Sequence, residues 1–289
     1  LKSLSVSRGI ASVSAGQQTL GGHIVVTSRN GDYSESDTFA AHARVSALYG
    51  ENNNALHTNV LTYLSNDQHK VGAAFSYQEG DNAEFSENTS SLTGGHEIPN
   101  SFFDRRRVSA FYGFQSDDFG MDLNVASIKT NDTGTAALPM DIIFIDSESL
   151  SGNFFAKFND WQIDFQLGFN NVEHGMNNYD HRAPSNMVMM GGMGMVVMPM
   201  NRYNFAEGEH QNSKMALSGP LLNGEIAMGI DYSKSVYDSN ISDPTNATFF
   251  LKNFNNVEKT ITGFFAEWVN ISDSISWELG TRLNQVEST

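Results

Sequence analysis

Apolar and polar residues alternate with a period of two along several stretches of the chain. The clearest run extends from Trp161 to Asn170, and similar runs surround Met121, Met228 and Trp277. A period of two predicts β-strands with one apolar and one polar face. Each run has about the nine to eleven residues that cross a membrane at the tilt of a β-barrel strand.

Weaker runs of the same kind bring the predicted total to about eleven strands. These candidates lie near residues 39–50, 55–66, 69–78, 106–116, 150–159, 211–219 and 258–270. Short turns are predicted at Asn66-Asp67 and Asn159-Asp160. Long polar loops are predicted over residues 79–105, 129–149, 171–210 and 234–257. Short turns at one end and long loops at the other are typical of outer-membrane barrels.

A soluble β-sandwich or a lipocalin-like barrel would also alternate. Small soluble barrels use about eight strands, whereas plugged outer-membrane transporters use about 22. Eleven strands therefore favour an all-β fold, an incomplete transmembrane antiparallel β-barrel with about half of 22 strands. The chain starts at Leu1 and ends at Thr289, directly after a strand-like run, so we expect a fragment cut at both ends.

Composition narrows the possible functions. The 289 residues carry a net charge of -16, which repels phosphate backbones and argues against nucleic acid as a partner. Cysteine is absent, so any metal is held by His, Met or carboxylate groups. No catalytic series, phosphate-binding glycine loop or calcium-loop spacing occurs, so we do not expect an enzyme.

The first thirty residues have a different pattern, in which glycines separate short runs of β-branched residues. Residues 4–28 resemble the carboxyl-terminal plug motif of the TonB-dependent outer-membrane receptors, in which Val-x-Arg-Gly leads through Ser-Val to Gly-Gly-x-Ile-x-Val-x-Thr. The matching residues are Val6, Arg8, Gly9, Ser12, Val13, Gly16, Gly21, Gly22, Ile24, Val26 and Thr27. The resemblance implies that residues 1–30 end a plug domain and that residues 31–289 begin the barrel.

The function of this family is implied by the resemblance alone. Its members lie in the outer membrane of Gram-negative bacteria and import scarce ligands through a barrel that the plug closes. Their energy comes from the TonB complex in the periplasm. We therefore expect a receptor that contacts outer-membrane lipid, couples to TonB and requires no cofactor.

Eight of the twelve methionines fall within one predicted loop, residues 171–210, which also contains His174 and His181. They are Met176, Met187, Met189, Met190, Met193, Met195, Met198 and Met200. Thioether sulfur favours Cu(I), and imidazole binds copper in either redox state, so these ten residues form a candidate copper site. Alternatively, the flexible methionines pack the loop against the plug or bind an apolar ligand.

A second resemblance favours copper. The segment from Val172 to Arg182 is similar to the His-x-Met-Asp-Asn-aromatic-Ser-Leu-Arg run of TonB-dependent copper receptors. His174 and Met176 match the metal-binding residues of that run, and we expect both to lie outside any strand. Asn177 replaces its Asp, and Asp180-His181 replaces its Ser-Leu. The family's other ligands belong to a Cys/Met motif in the plug, which would lie before Leu1.

The leading hypothesis is a plugged barrel that imports copper or a copper chelate. The first rival is a receptor of the same class for a siderophore, cobalamin or a carbohydrate, in which the methionine loop is only structural. The second rival is a surface structural or adhesive β-protein without transport.

Three consecutive arginines, Arg105 to Arg107, form a separate candidate site. They could clamp phosphate or carboxylate groups of a lipid or siderophore through bidentate contacts. We favour the simpler interpretation that they lie at the base of a strand and pair with acidic residues inside the barrel.

Overall fold

The fold is that of a computed structural model, which describes residues 3–8, 12–15, 22–27, 30–85, 96–191, 194–271 and 275–289. The strands are β1 Ser3–Arg8, β2 Gly22–Thr27, β3 Ala40–Gly50, β4 Ala55–Ser65, β5 His69–Gly80, β6 Phe103–Gln115, β7 Phe119–Thr133, β8 Asp141–Phe158, β9 Trp161–Asn177, β10 Asn186–Gly191, β11 Gly194–Pro199, β12 Tyr203–Leu221, β13 Gly224–Ser242, β14 Phe250–Ile271 and β15 Ser276–Ser288. Two short 3-10 helices span Val13–Ala15 and Glu51–Asn53. Across these described ranges, no helix is long and apolar enough to cross a membrane.

Eleven of the strands form one antiparallel sheet. Each strand pairs with its neighbour along the chain, except that β9 pairs with β12 across the small hairpin β10–β11. Strands β3 and β15 are the two edges, so the sheet is not closed. Strands β1 and β2 form a separate two-stranded sheet. The predicted all-β antiparallel fold with about eleven strands is confirmed.

The connections differ between the two ends of the sheet. At one end the described turns are short, at residues 66–68, 116–118, 159–160 and 222–223. We call the other end of the sheet the long-loop end. Its connections include residues 81–102, 134–140, 178–202 and 243–249. Both predicted short turns are confirmed. Asn66 closes the first by accepting a hydrogen bond from the backbone amide of His69 at 2.6 Å.

Three of the predicted long loops include residues that belong to strands. Strand β7 continues to Thr133 and β8 begins at Asp141, so the loop predicted over 129–149 contains only residues 134–140. The loop predicted over 234–257 likewise contains only residues 243–249, and the loop over 171–210 contains the ends of β9 and β12. Beyond a membrane both faces of a sheet are wet, so the period-two signal disappears although the backbone ladder continues.

The two faces of the sheet differ in polarity near the short turns. In β9, Ile163, Phe165 and Leu167 point to one face, and Asp164 and Gln166 point to the opposite one. We call the face of Phe165 the outer face and the face of Gln166 the inner face. A single-layer wall with apolar side chains outward is the arrangement that a lipid-facing barrel requires.

The inner face is polar and contacts the segment before the barrel. Arg282 in β15 forms a two-bond ion pair with Asp231 in β13, at 2.6 and 2.7 Å. The backbone carbonyl of Ser14 accepts a hydrogen bond from Lys214 at 2.5 Å, and its amide donates to Glu267 at 3.1 Å. The helix Val13–Ala15 therefore lies against the inner face of β12 to β15.

The assignment of faces predicts opposite effects for neighbouring substitutions in β9. Phe165→Arg places a charge on the outer face near the middle of the membrane and should destabilise the folded barrel by about 2–4 kcal/mol. Gln166→Arg, the matched control, places the same charge on the inner face and should be tolerated. Urea unfolding in lipid measures both. Equal destabilisation by the two variants would contradict the assignment.

Candidate functional site

His174 and Met176 lie in β9, two residues apart on the inner face. The expectation that neither belongs to a strand was wrong, because β9 continues to Asn177. In the register of the sheet His174 lies between Ile145 of β8 and Ala206 of β12. The strand therefore fixes the backbone of both candidate ligands and presents their side chains to the same space.

The imidazole of His174 is half-buried, and burial lowers its pKa below the ordinary value of 6.5. It is therefore neutral at neutral pH, which is the form that binds metal ions. His174 is the fourteenth residue of β9 counted from the short-turn end. Since about nine to eleven residues cross a bilayer, the site lies above the membrane-spanning part of the strand.

His181 lies after β9, in the connection 178–202. Its Nε2 is 3.3 Å from a carboxylate oxygen of Asp132. Its ring meets the edge of the Phe102 ring, with centroids 4.9 Å apart. The described contacts of His181 are therefore with the end of β7 and the connection 81–102, and they do not bring it to His174.

The methionine-rich segment is a β-hairpin rather than an open loop. The backbone register of β10 and β11 sets Met187 opposite Met198 and Met190 opposite Met195, and it sets Met189 opposite a valine. Only the backbone is described for residues 187–191 and 194–198, and Met193 lies outside the described residues. Met200 follows the hairpin, and its amide donates to the carbonyl of Ser185 at 2.8 Å.

No group of three or more His, Cys, Asp or Glu side chains in the described part of the chain is arranged to hold a metal ion. The two candidate ligands whose side chains share a described surface are His174 and Met176.

A buried ion pair anchors the first end of connection 178–202. Asp141 is fully buried and accepts hydrogen bonds from Arg182, one of them at 2.7 Å from Nε. Arg182 also donates to the carbonyl of Thr135 at 3.2 Å. Asn100 donates to Asp141 at 2.8 Å and to the carbonyl of His181 at 3.1 Å. We call this group the Asp141 clamp; it joins the connections 81–102, 134–140 and 178–202.

Gly134 allows these connections to approach so closely. A Cβ at this position would lie 2.3 Å from the backbone of Asn100, which real side chains do not tolerate. The amide of Gly134 donates to the carbonyl of Phe102 at 2.9 Å.

A second ion pair anchors the other end of the same connection. Arg202 donates to the buried Asp243 at 2.7 Å and stacks over the Phe249 ring at 3.9 Å. The side chain of Asn178 donates to the carbonyl of Met200 at 2.9 Å and accepts from the amide of Arg202 at 2.8 Å. The hairpin is therefore held at both ends, with its base close to the end of β9.

The sequence analysis identified neither the Asp141 clamp nor the ion pair between Arg202 and Asp243. Arg182 closes the segment that resembles the copper receptors, but no local pattern identifies Asp141 as its partner 41 residues away. A single Asp in a polar stretch gives no signal of burial, because the burial comes from three connections that meet only in the fold.

The three consecutive arginines divide between the two faces. Arg105 and Arg107 point to the inner face, whereas Arg106 points to the outer one. The prediction that they pair with acidic residues inside the barrel is not met, since none of the three has an ion pair within the described residues. Arg105 instead donates to the hydroxyl of Thr130 at 3.4 Å.

Comparison with solved structures identifies the architecture. The copper transporter OprC superposes with a TM-score of 0.80 at 17% identity, over 98% of this chain and 43% of OprC. The chain has the fold of a TonB-dependent outer-membrane transporter. The apolar outer face of the sheet agrees with the lipid-facing surface of that barrel fold.

An iron transporter and a ferric enterobactin receptor share the fold at lower similarity. The FrpB iron transporter from Neisseria meningitidis (F3-3 variant) gives a TM-score of 0.67 at 14% identity, over 99% of this chain and 47% of FrpB. A mutant of the ferric enterobactin receptor PfeA from Pseudomonas aeruginosa gives 0.62 at 11% identity, over 98% of this chain and 44% of the receptor. The chain thus spans less than half the length of these neighbours. No protein-family model and no curated protein matches the sequence.

The Asp141 clamp leads to a prediction on loop stability. Asp141→Asn removes the charge that Arg182 faces, and loss of one partner of a buried pair costs on the order of 3 kcal/mol. Hydrogen exchange at residues 134–140 and 178–186 should therefore accelerate about a hundredfold. Asp132→Asn, at a more exposed carboxylate, is the control and should change exchange there little. Unchanged protection in the Asp141→Asn variant would show that the clamp does not order the connections.

The same clamp should open in acid. Burial raises the pKa of Asp141, but the hydrogen bonds from Arg182 and from the Thr135 amide, together with the Arg182 charge, outweigh it and lower the pKa below 3.8. The stabilisation is fully present above that value and is lost as the pH falls through the lowered pKa. Pepsin, which is active in this range, should cut the connections only at the acidic end, and Asp141→Asn should abolish this pH dependence.

Proposed function

We propose that this chain is part of a TonB-dependent outer-membrane transporter that imports copper or a copper chelate. The observation that carries the proposal is the placement of His174 and Met176 side by side on the inner face of β9, at the base of a methionine-rich hairpin. The higher TM-score of the copper transporter OprC, 0.80 against 0.67 for FrpB, supports copper over iron.

The chemistry of these groups suits a soft cation. A thioether and a neutral imidazole favour Cu(I), whereas zinc prefers thiolates or several imidazoles and iron prefers oxygen-rich sites. Aliphatic neighbours such as Ile145 and Ala206 offer no competing hard ligand. Additional methionines of the hairpin complete the coordination or pass the ion inward, so their exact positions matter less than their number.

The plug and its energy source are part of the proposal. Residues 1–30 are the end of a plug domain and residues 31–289 the first part of the barrel. The contacts of Ser14 with Glu267 and Lys214 hold this segment against the inner face. Inward release of the ligand requires these contacts to break, which TonB would drive from the periplasm. The chain's own residues bind and guide the ligand, and no covalent step is involved.

The alternative is import of an iron chelate or another ligand, with the methionines serving only to pack the hairpin. The FrpB and PfeA likenesses favour it, since the same fold occurs in an iron transporter and in a ferric enterobactin receptor. The two proposals differ in what copper does to the purified protein.

Replacing both His174 and Met176 with Ala should remove most high-affinity copper binding by the complete receptor. The strand ladder should persist because both side chains project from β9 and make none of its backbone hydrogen bonds. His210→Ala is the matched control, since His210 is an exposed imidazole on the inner face of β12, bonded to Ser235 at 2.9 Å. Copper titration of the three proteins is the measurement. Wild-type affinity in the double variant would refute this site.

Changing the hairpin methionines to Leu tests their role separately. Leu keeps the apolar volume and deletes the sulfur. Replacing one methionine should matter little, because neighbouring methionines substitute for one another. Replacing Met187, Met190, Met195 and Met198 together should weaken copper uptake at least tenfold while the fold is kept. The packing alternative expects no change in copper binding from any of these variants.

A further inference from the structure

Residues 31–37, which precede β3, lie against the sheet at its short-turn end. The backbone amide of Ser34 donates to the carbonyl of Asn66 at 2.9 Å, and the amide of Asp67 donates to the carbonyl of Ser36 at 2.8 Å. We call residues 31–37 the strap. The main chain of the strap is therefore bonded directly to the main chain of the first short turn.

Buried polar groups of the turn find partners in the strap. The hydroxyl of Ser34 lies 2.8 Å from the hydroxyl of Ser65, which is fully buried, and 3.3 Å from Nε2 of His42. The side-chain amide of Asn66, also buried, donates to the carbonyl of Asp37 at 3.2 Å. Detaching the strap would remove these partners, and a buried polar group without a partner is costly.

The side chain of Tyr33 packs against three strands. Nζ of Lys70 in β5 lies 4.6 Å from the centre of the Tyr33 ring, and the buried Lys70 also pairs with Asp122 of β7 at 2.7 Å. Gly113 of β6 leaves the necessary room, because a Cβ there would lie 2.6 Å from the Tyr33 hydroxyl. A cation over an aromatic ring is more strongly attracted when water is excluded, so this contact stabilises the bound strap.

Gly31 brings the start of the strap into contact with the sheet. Its φ of +72° is a conformation that glycine adopts without strain, and a Cβ there would lie 2.9 Å from the ring of Tyr63 in β4. That ring in turn stacks on His42 in β3, with centroids 4.5 Å apart. Contact between the strap and the sheet therefore begins at Gly31, directly after the expected end of the plug segment at residue 30.

The helix Val13–Ala15, earlier in the chain, is held differently. It is bonded to the sheet through the side chains of Lys214, Glu267 and Arg282. Long side chains can change rotamer and follow a moving segment, whereas the main-chain bonds of the strap join two backbones. A pull from the plug side should therefore release the helix before it releases the strap.

We propose that the strap is a mechanical anchor, which stays bound to the barrel while the plug segment before it is displaced. Force applied to the plug then ends at Gly31 and does not reach β3. Force at Ala40 would otherwise load the β3–β4 ladder from its end and break its hydrogen-bonded pairs one after another. This inference rests on the proposed movement of the plug segment, but not on copper as the ligand.

The test is stretching of the complete receptor in a lipid bilayer with magnetic tweezers, pulling on its amino-terminus at constant force. Wild type should pause before a separate step that precedes unfolding of the barrel. Release of residues 31–39 accounts for a step of up to about 30 Å. The variant Gly31→Ala/Ser34→Ala should shorten the pause at least about tenfold, since it adds backbone strain and removes buried hydrogen bonds.

The matched control is Gly50→Ala/Ser36→Ala, which makes the same two changes where the structure has room for them. A Cβ at Gly50 would make an ordinary contact at 3.6 Å, and the exposed hydroxyl of Ser36 bonds to its neighbours Asp37 and Thr38. The control should keep the wild-type pause. Heat-dependent gel mobility checks that each variant forms a barrel. Release of residues 31–39 together with the preceding chain in wild type, or equal shortening in both variants, would overturn the anchor.

A disulfide between strap and barrel tests whether the strap stays bound during transport. The hydroxyls of Ser34 and Ser65 are adjacent, and the 289 residues contain no cysteine, so Ser34→Cys/Ser65→Cys introduces one defined pair. Cells with the complete receptor should take up copper equally well whether this pair is oxidised or reduced. Uptake that is lost on oxidation and restored by a reductant would overturn the anchor. If neither form takes up copper, the proposed copper function is rejected, and the force measurement decides the anchor.

Discussion

A membrane interior contains no water to bond with unpaired backbone amides and carbonyls, and this constraint governs the structure. In a wall built of strands, the hydrogen bonds between neighbouring strands must satisfy these groups. The eleven-stranded sheet meets the requirement everywhere except at its edges, β3 and β15. Apolar side chains can then face outward, and the inner face is left for polar and charged groups. The candidate sites depend on this division, because every second residue of a strand necessarily faces inward.

The same ladder continues above the membrane and gives the loops a rigid base. Strands such as β9 extend past the bilayer, so His174 and Met176 are fixed by backbone pairing instead of loop packing. The ion pairs Arg182–Asp141 and Arg202–Asp243 then hold the methionine hairpin at both ends. Both ends of the hairpin are therefore anchored beside the end of β9, close to the two candidate ligands on that strand.

Much of the fold could be predicted from the sequence because alternation survives wherever one face meets lipid. The strands near Trp161, Met228 and Trp277 and the turns at Asn66 and Asn159 were recognised in this way. The strand ends at Thr133, Asn177 and Ser242 could not be predicted from the sequence. Water wets both faces of the sheet there, so apolar and polar residues no longer alternate. Resemblance, not periodicity, identified His174 and Met176 as a pair.

The sequence by itself determined the strand pattern, the separation of an inner from an outer face, and the soft-donor composition of residues 174–200. Only the tertiary structure decided which distant residues meet. Asp141 and Arg182 are 41 positions apart, and Ser34 meets Ser65 across 31 positions. Such pairings depend on the register of several strands at once, and a shift of one residue would turn each side chain to the opposite face.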